Sequence, residues 1–187
     1  MKRIILASAS PRRRELIKYI SDDVVFKSAD IDEAFEENLS VVENVKQIAL
    51  KKAQCVMREV QDNSAIIIGV DTIVCCDERV FTKPKDEEDA YYMLESLSGR
   101  SHSVISAVAL ICGEKELVRH EETKVYFSAL SKEEIEEYIR LEKPFDKAGS
   151  YAVQGRAGVF VEKIEGCYYN IVGLPLNLLG RIIKENF

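Results

Sequence analysis

Histidine is scarce: His102 and His120 are the only two in 187 residues, which leaves little material for a Ser-His or Cys-His nucleophile. Proline numbers four, and no internal repeat, low-complexity tract or Pro/Gly/Ser linker marks a boundary, so residues 1–187 read as one domain. No apolar run approaches the roughly 20 residues that span a bilayer. Met1-Lys2-Arg3 and Ile4-Ile5-Leu6 begin like a signal peptide, but the apolar stretch stops at Ser8 and three arginines follow. There is no basic tail either. A net charge of −6 makes the chain a poor candidate for sequence-independent nucleic-acid binding, which needs clustered Lys and Arg, so any anionic ligand must be held by a local group of cations. The five cysteines contain no CxxC pair, and adjacent Cys75 and Cys76 would face opposite sides of a strand. Reduced thiols are expected, and with them a cytoplasmic location.

Hydrophobic residues make up 47% and charged residues 31%, enough for a real core in a soluble protein. Arg3–Ala7 reads as a short buried strand. Ser10-Pro11 then opens a helix to about Ile20, with Ser as N-cap and Pro at the first helical position. Val24–Ser28 reads as a strand, and the capping box Ser40-Val41-Val42-Glu43 starts a long helix to about Val60. Ala65–Cys76 is a β-branched run expected as a central strand. Asp86–Leu97 reads as a helix, and Ser103–Cys112 with Glu116–Phe127 as a hairpin turning at Gly113-Glu114. A second capping box at Ser131 opens a helix to about Leu141. Val159–Ile164 reads as a strand and Pro175–Glu185 as a closing helix. Strand–helix units plus a hairpin imply an α/β fold around a mixed, twisted sheet.

Three placements carry chemistry. Ser8–Arg13 follows a strand and enters a helix whose first turns hold Arg12, Arg13 and Arg14. Cations oppose the dipole at a helix N-terminus, so the segment is either an anion grip or a capped helix with a solvated basic face. Asp71 interrupts an apolar strand, where an ionised carboxylate costs several kcal/mol unless it is partnered. It either ligates metal or acts as a base, or else caps a turn. Lys52 lies at the centre of the apolar stripe Val45, Ile48, Ala49, Ala53, Val56 and Val60, whereas Lys51 falls off it. Its ammonium either meets a carboxylate or phosphate, or snorkels outward.

Weaker signals surround these. Asp30, Asp32 and Glu33 are hard oxygen ligands suited to Mg²⁺ or Mn²⁺, or simply a solvated acidic loop. Lys83-Pro84 could return a cation to the sheet edge that holds Asp71. Gly149–Gly155 suits either a base-contacting loop or a tight turn. His102 is expected as a structural hydrogen-bonding residue rather than a catalyst.

In order along the chain stand Leu6-Ala7-Ser8-Ala9-Ser10-Pro11-Arg12-Arg13, Glu33, Lys52-Ala53, Asp71-Thr72, Lys83-Pro84 and Ser98-Gly99-Arg100-Ser101-His102. Asp146 to Gly155 and Val172-Gly173-Leu174-Pro175-Leu176 complete the series. With these motifs the chain resembles the Maf family of nucleoside-triphosphate pyrophosphatases, relatives in fold of the inosine-triphosphatase group. The resemblance implies two lobes around a cleft, hydrolysis between the α- and β-phosphates, a divalent metal cation (Mg²⁺ or Mn²⁺) and homodimers. Arg12, Thr72 and Gln154 resemble the branch acting on dTTP and UTP; the sister branch, acting on 7-methyl-GTP, typically has an aromatic at position 12. The resemblance further implies Asp71 as metal ligand or base and Glu33 as second metal ligand. Ser8, Arg13, Lys52 and Lys83 would hold the triphosphate, and Arg12, Thr72 and Gln154 would read base and sugar. Arg14 is left to solvent, and Cys167, where relatives often have serine, to packing. Other nucleotides, and a nucleotide-binding role in septum formation, are the competing readings.

Overall fold

Both capping boxes form. In the computed structural model, which describes residues 2–77 and 79–187, the Ser40 hydroxyl accepts from the Glu43 amide, and the Glu43 carboxylate accepts from the Ser40 amide. Ser131 and Glu134 repeat the exchange. Each box satisfies helix-end donors that would otherwise lack intrahelical partners. The helices they start are α2 (Val41–Val60) and α4 (Lys132–Glu142).

The remaining elements are β1 (Ile4–Ala7), α1 (Pro11–Leu16), β2 (Val24–Phe26), β3 (Ile66–Cys76), β4 (Arg79–Phe81), α3 (Glu87–Leu97), β5 (Ser101–Cys112), β6 (Lys115–Phe127), β7 (Val161–Glu165), α5 (Tyr168–Val172) and α6 (Leu176–Asn186). Among the described residues, seven strands form one mixed sheet in the order β2-β1-β3-β5-β6-β7, with β4 paired to β3. β1 runs parallel to both β2 and β3, whereas β4 and β7 pair antiparallel with β3 and β6.

Three expectations change. The first helix is α-helical only to Leu16 and finishes as a tighter 3₁₀ turn over Ile17–Tyr19. Val159 and Phe160 belong to a 3₁₀ turn, Arg156–Phe160, because Phe160 packs into a core while Val159 points out, 81% exposed. The five-residue α5 and three-residue β4 are additions, too short to carry a periodicity in the sequence.

The chain divides into two compact units. One comprises the described residues up to Asp71, Ser106–Glu121 and Gly173–Phe187; the other comprises Thr72–Ile105 and Glu122–Val172. The first buries Ile4, Leu6 and Ile66–Ile68 of its strands and Val45, Ile48, Ala49, Ala53 and Val56 of the α2 stripe. The second has its own core around Phe81, Leu94, Leu97, Val125, Phe127 and Phe160. Among the described residues no helix is long and apolar enough to cross a membrane. Among the described residues no disulfide forms; Cys76 and Cys112 are buried and the other three cysteines half-buried.

Candidate functional site

Gly69 sets the geometry of the first unit. It is the only residue without a β-carbon in the run Ile66–Cys76, and it sits against the main chain of α2. A β-carbon there would lie 2.0 Å from the Ala49 carbonyl oxygen and 2.7 Å from the Ala53 nitrogen. An isolated glycine in a strand commonly marks such an approach of two backbones. Residues two apart on a strand share a face, so Asp71 points toward the same helix. Lys52 precedes Ala53 on that helix, and the two meet: the Lys52 ammonium donates to Asp71 Oδ1 at 2.8 Å.

Both are buried, Lys52 at 8% and Asp71 at 6% exposure. The same Nζ lies 3.0 Å from Glu33 Oε2 on the loop before α2. One cation therefore joins two carboxylates, one buried and one facing solvent. Lys51, beside it in sequence, is exposed and pairs with Glu36. The amphipathic stripe thus separates the two lysines as expected. Asp32 instead accepts from the Ala34 amide, and the Asp30 carbonyl accepts weakly from Cys55, so only Glu33 of the three acidic residues reaches Lys52.

The Ser8–Arg13 turn borders this cluster. Ser8 is buried, and its hydroxyl accepts from the Ser10 amide and from Arg13. Arg13 donates through Nε to the Gly173 carbonyl at 2.9 Å and through a terminal nitrogen to the Val70 carbonyl at 3.1 Å. Burial pushes its guanidinium below the usual arginine value, while Asp71 and Glu33 push it back up and Arg12 opposes them. Arg14 corrects the solvent assignment: it donates to the Ser8 carbonyl and lies over the Phe26 ring at 5.4 Å. Arg12 is half-buried on α1. Sequence reasoning missed the Val70 and Gly173 carbonyls, which no local pattern reveals. It also missed Gly69, whose signal was its isolation in an apolar strand.

Formal charges in the cluster balance, with Lys52 and Arg13 against Asp71 and Glu33. Among the described residues no group of three or more His, Cys, Asp or Glu could hold a metal ion. Two carboxylates sharing one ammonium nevertheless suit Mg²⁺, which is commonly held by one or two carboxylates plus phosphate oxygens and water.

The second unit carries Thr72 on β3, half-buried; Lys83, exposed after β4; and Gln154, exposed in the turn after Tyr151. Tyr151 is fixed by His102, whose Nε2 lies 2.7 Å from the tyrosine hydroxyl. Burial lowers the His102 pKa to about 4 and keeps the ring neutral. His102 packs edge-on to Phe127 and Tyr151, so its role is structural, as expected. Cys167 exchanges hydrogen bonds with Thr123 through its main chain, leaving the thiol to packing.

A family model described as Maf-like protein matches residues 3–186. A protein of Alkaliphilus oremlandii named dTTP/UTP pyrophosphatase is 48% identical over 100% of this chain and 97% of its own. One from Caldicellulosiruptor bescii with the same name is 44% identical, over 99% and 95%. One from Symbiobacterium thermophilum, also so named, is 47% identical, over 99% and 94%. The Staphylococcus aureus Ham1 protein shares the fold at a TM-score of 0.57 and 14% identity, with full coverage of both chains. The chain belongs to the Maf-like protein family.

Proposed function

We propose that the chain is a nucleoside-triphosphate pyrophosphatase that hydrolyses dTTP and UTP to the monophosphate and pyrophosphate. The buried Lys52–Asp71 pair carries this reading, because a pair so costly to desolvate has little structural purpose in an apolar strand. The names of the full-length relatives supply the substrate.

Phosphoryl transfer asks for positioning and charge neutralisation more than covalent chemistry. Asp71 accepts a proton from water as the water oxygen bonds to the α-phosphorus. The bond from that phosphorus to the α–β bridging oxygen breaks, and its electron pair leaves on pyrophosphate. An ammonium has three N–H donors. Two from Lys52 serve Asp71 and Glu33, leaving one for a phosphate oxygen. Ser8 and Arg13, beside this cluster, are assigned to the remaining phosphate oxygens, and Lys83 is assigned to phosphate on the family resemblance alone. Asp71 and Glu33 would hold a divalent cation, Mg²⁺ or Mn²⁺, which would supply the positive charge that a charge-balanced cluster lacks toward a polyanion. Arg12, Thr72 and Gln154 are assigned to base and sugar on the family resemblance. We extend the reading to a homodimer, on the family resemblance, with residues 1–187 as one catalytic domain acting in the cytoplasm on free nucleotides rather than nucleic acid; the lack of disulfides among the described residues supports the compartment, and the net charge of −6 the preference for free nucleotides.

Asp71→Asn should lower pyrophosphate release by at least ~10²-fold, the scale of a lost general base, with the fold intact by circular dichroism. Unchanged turnover would remove Asp71 from the chemistry. A panel of dTTP, UTP, CTP, purine triphosphates and 7-methyl-GTP tests the substrate, and a purine preference would overturn the choice. Tight nucleotide binding without hydrolysis in either metal would favour the regulatory reading instead.

A further inference from the structure

Glu33 is placed by a segment with no regular secondary structure, residues 27–36, followed by a turn into α2. What holds that segment is a row of α2 side chains at positions 44, 51, 52, 55 and 59, spaced to lie along one side of the helix. Glu59 pairs with Lys27 at 2.8 Å, the Cys55 thiol approaches the Asp30 carbonyl at 3.8 Å, and Lys51 pairs with Glu36 at 3.3 Å. These are exposed ion pairs and a weak thiol contact, which order a chain poorly.

Asn44 is different. It is 4% exposed, and each of its polar atoms is engaged within the segment. Its Oδ1 accepts from the Glu36 amide at 2.7 Å, and its Nδ2 donates to the carbonyls of Glu36, Leu39 and Ser40 at 3.0, 3.2 and 3.2 Å. The amide therefore grips both main-chain groups of Glu36 and the carbonyls of the turn. Glu36 lies three residues beyond Glu33, a reach of at most about 11 Å of chain. Asp32 tightens the interval by accepting from the Ala34 amide.

We propose that Asn44 is a positioning residue for the reaction: it clamps the Glu36 main chain so that Glu33 is presented to Lys52. This rests on the pyrophosphatase reading for its catalytic consequence, though not for the clamp itself. Aspartate is its sharpest probe, since it is nearly isosteric, retains the acceptor and loses both donors. The carboxylate would also face three carbonyl oxygens.

The experiment compares wild type, Asn44→Ala, Asn44→Asp, Glu33→Gln and the Asn44→Ala/Glu33→Gln double variant. Initial rates with dTTP and UTP give kcat and KM, and amide hydrogen exchange reads the chain. Asn44→Ala and Asn44→Asp should lower kcat by about tenfold or more, and exchange at residues 31–36 should accelerate while the middle of α2 stays protected. The double variant should be no slower than Glu33→Gln alone, because Asn44 acts through Glu33. Additive losses would make Asn44 a general structural residue and overturn the proposal, as would unchanged exchange at 31–36. If Asn44→Ala does not fold, the same cycle is run with Asn44→Asp. A wild-type chain inactive on every triphosphate defeats the pyrophosphatase reading, and the exchange comparison still decides the clamp.

Discussion

Adding one methyl group at Gly69 should damage fold and site together. The new β-carbon of Gly69→Ala would stand 2.0 Å from the Ala49 oxygen and 2.7 Å from the Ala53 nitrogen, where ordinary contact is 3.4 Å or more. Both obstacles are main chain, so no flexible side chain can yield, and β3 must retreat from α2 by roughly 1 Å in a close-packed interior. Overpacking of this kind costs about 1–3 kcal/mol, and the absence of a yielding partner points to the upper end. The 2.8 Å contact between Lys52 and Asp71 spans the same junction. A displacement of about 1 Å in a catalytic arrangement can cost on the order of 10²-fold in rate. Urea unfolding and initial rates of pyrophosphate release from dTTP, measured on one preparation, check both effects. Wild-type stability with wild-type kcat would refute the proposed approach of strand and helix. Lost stability with intact kcat would separate the approach from the chemistry.

Gly180→Ala provides the opposite case. Gly180 lies inside α6, and a methyl group added there would meet nothing within 4 Å, so alanine should stabilise by roughly 0.5–1 kcal/mol in urea unfolding and leave kcat unchanged. His102 predicts a pH effect. Its pKa falls from 6.5 in the unfolded chain to about 4 in the folded one, so only the unfolded chain takes up this proton between those values. Its contribution is present above pH ~6.5, is lost as pH falls toward 4, and totals about 3 kcal/mol. Denaturation curves for wild type and His102→Gln across this range should therefore converge at low pH, and parallel curves would contradict the buried neutral ring.

Local chemistry made much of the fold legible. Ser40 and Ser131 announce α2 and α4, because a capping box is written within four residues. The β-branched run announces β3, and the stripe on α2 separates Lys52 from Lys51 without reference to any tertiary contact. The 3₁₀ turn at Arg156–Phe160 resembles the start of a strand because apolar Val159 and Phe160 suit either, and only the burial of Phe160 decides.

The candidate site divides the same way. The sequence by itself marked Asp71 and Lys52 as anomalies, since a charge on an apolar face is visible from periodicity alone. That the two neutralise each other, across 19 residues and with Glu33 as a third member, was decided by the approach of β3 to α2 at Gly69. Arg13 was legible as a cation near a helix start. Its bonds to the Val70 and Gly173 carbonyls, 57 and 160 residues away, were not. Periodicity reports the direction a side chain takes from its own backbone, whereas its partner depends on how distant segments pack.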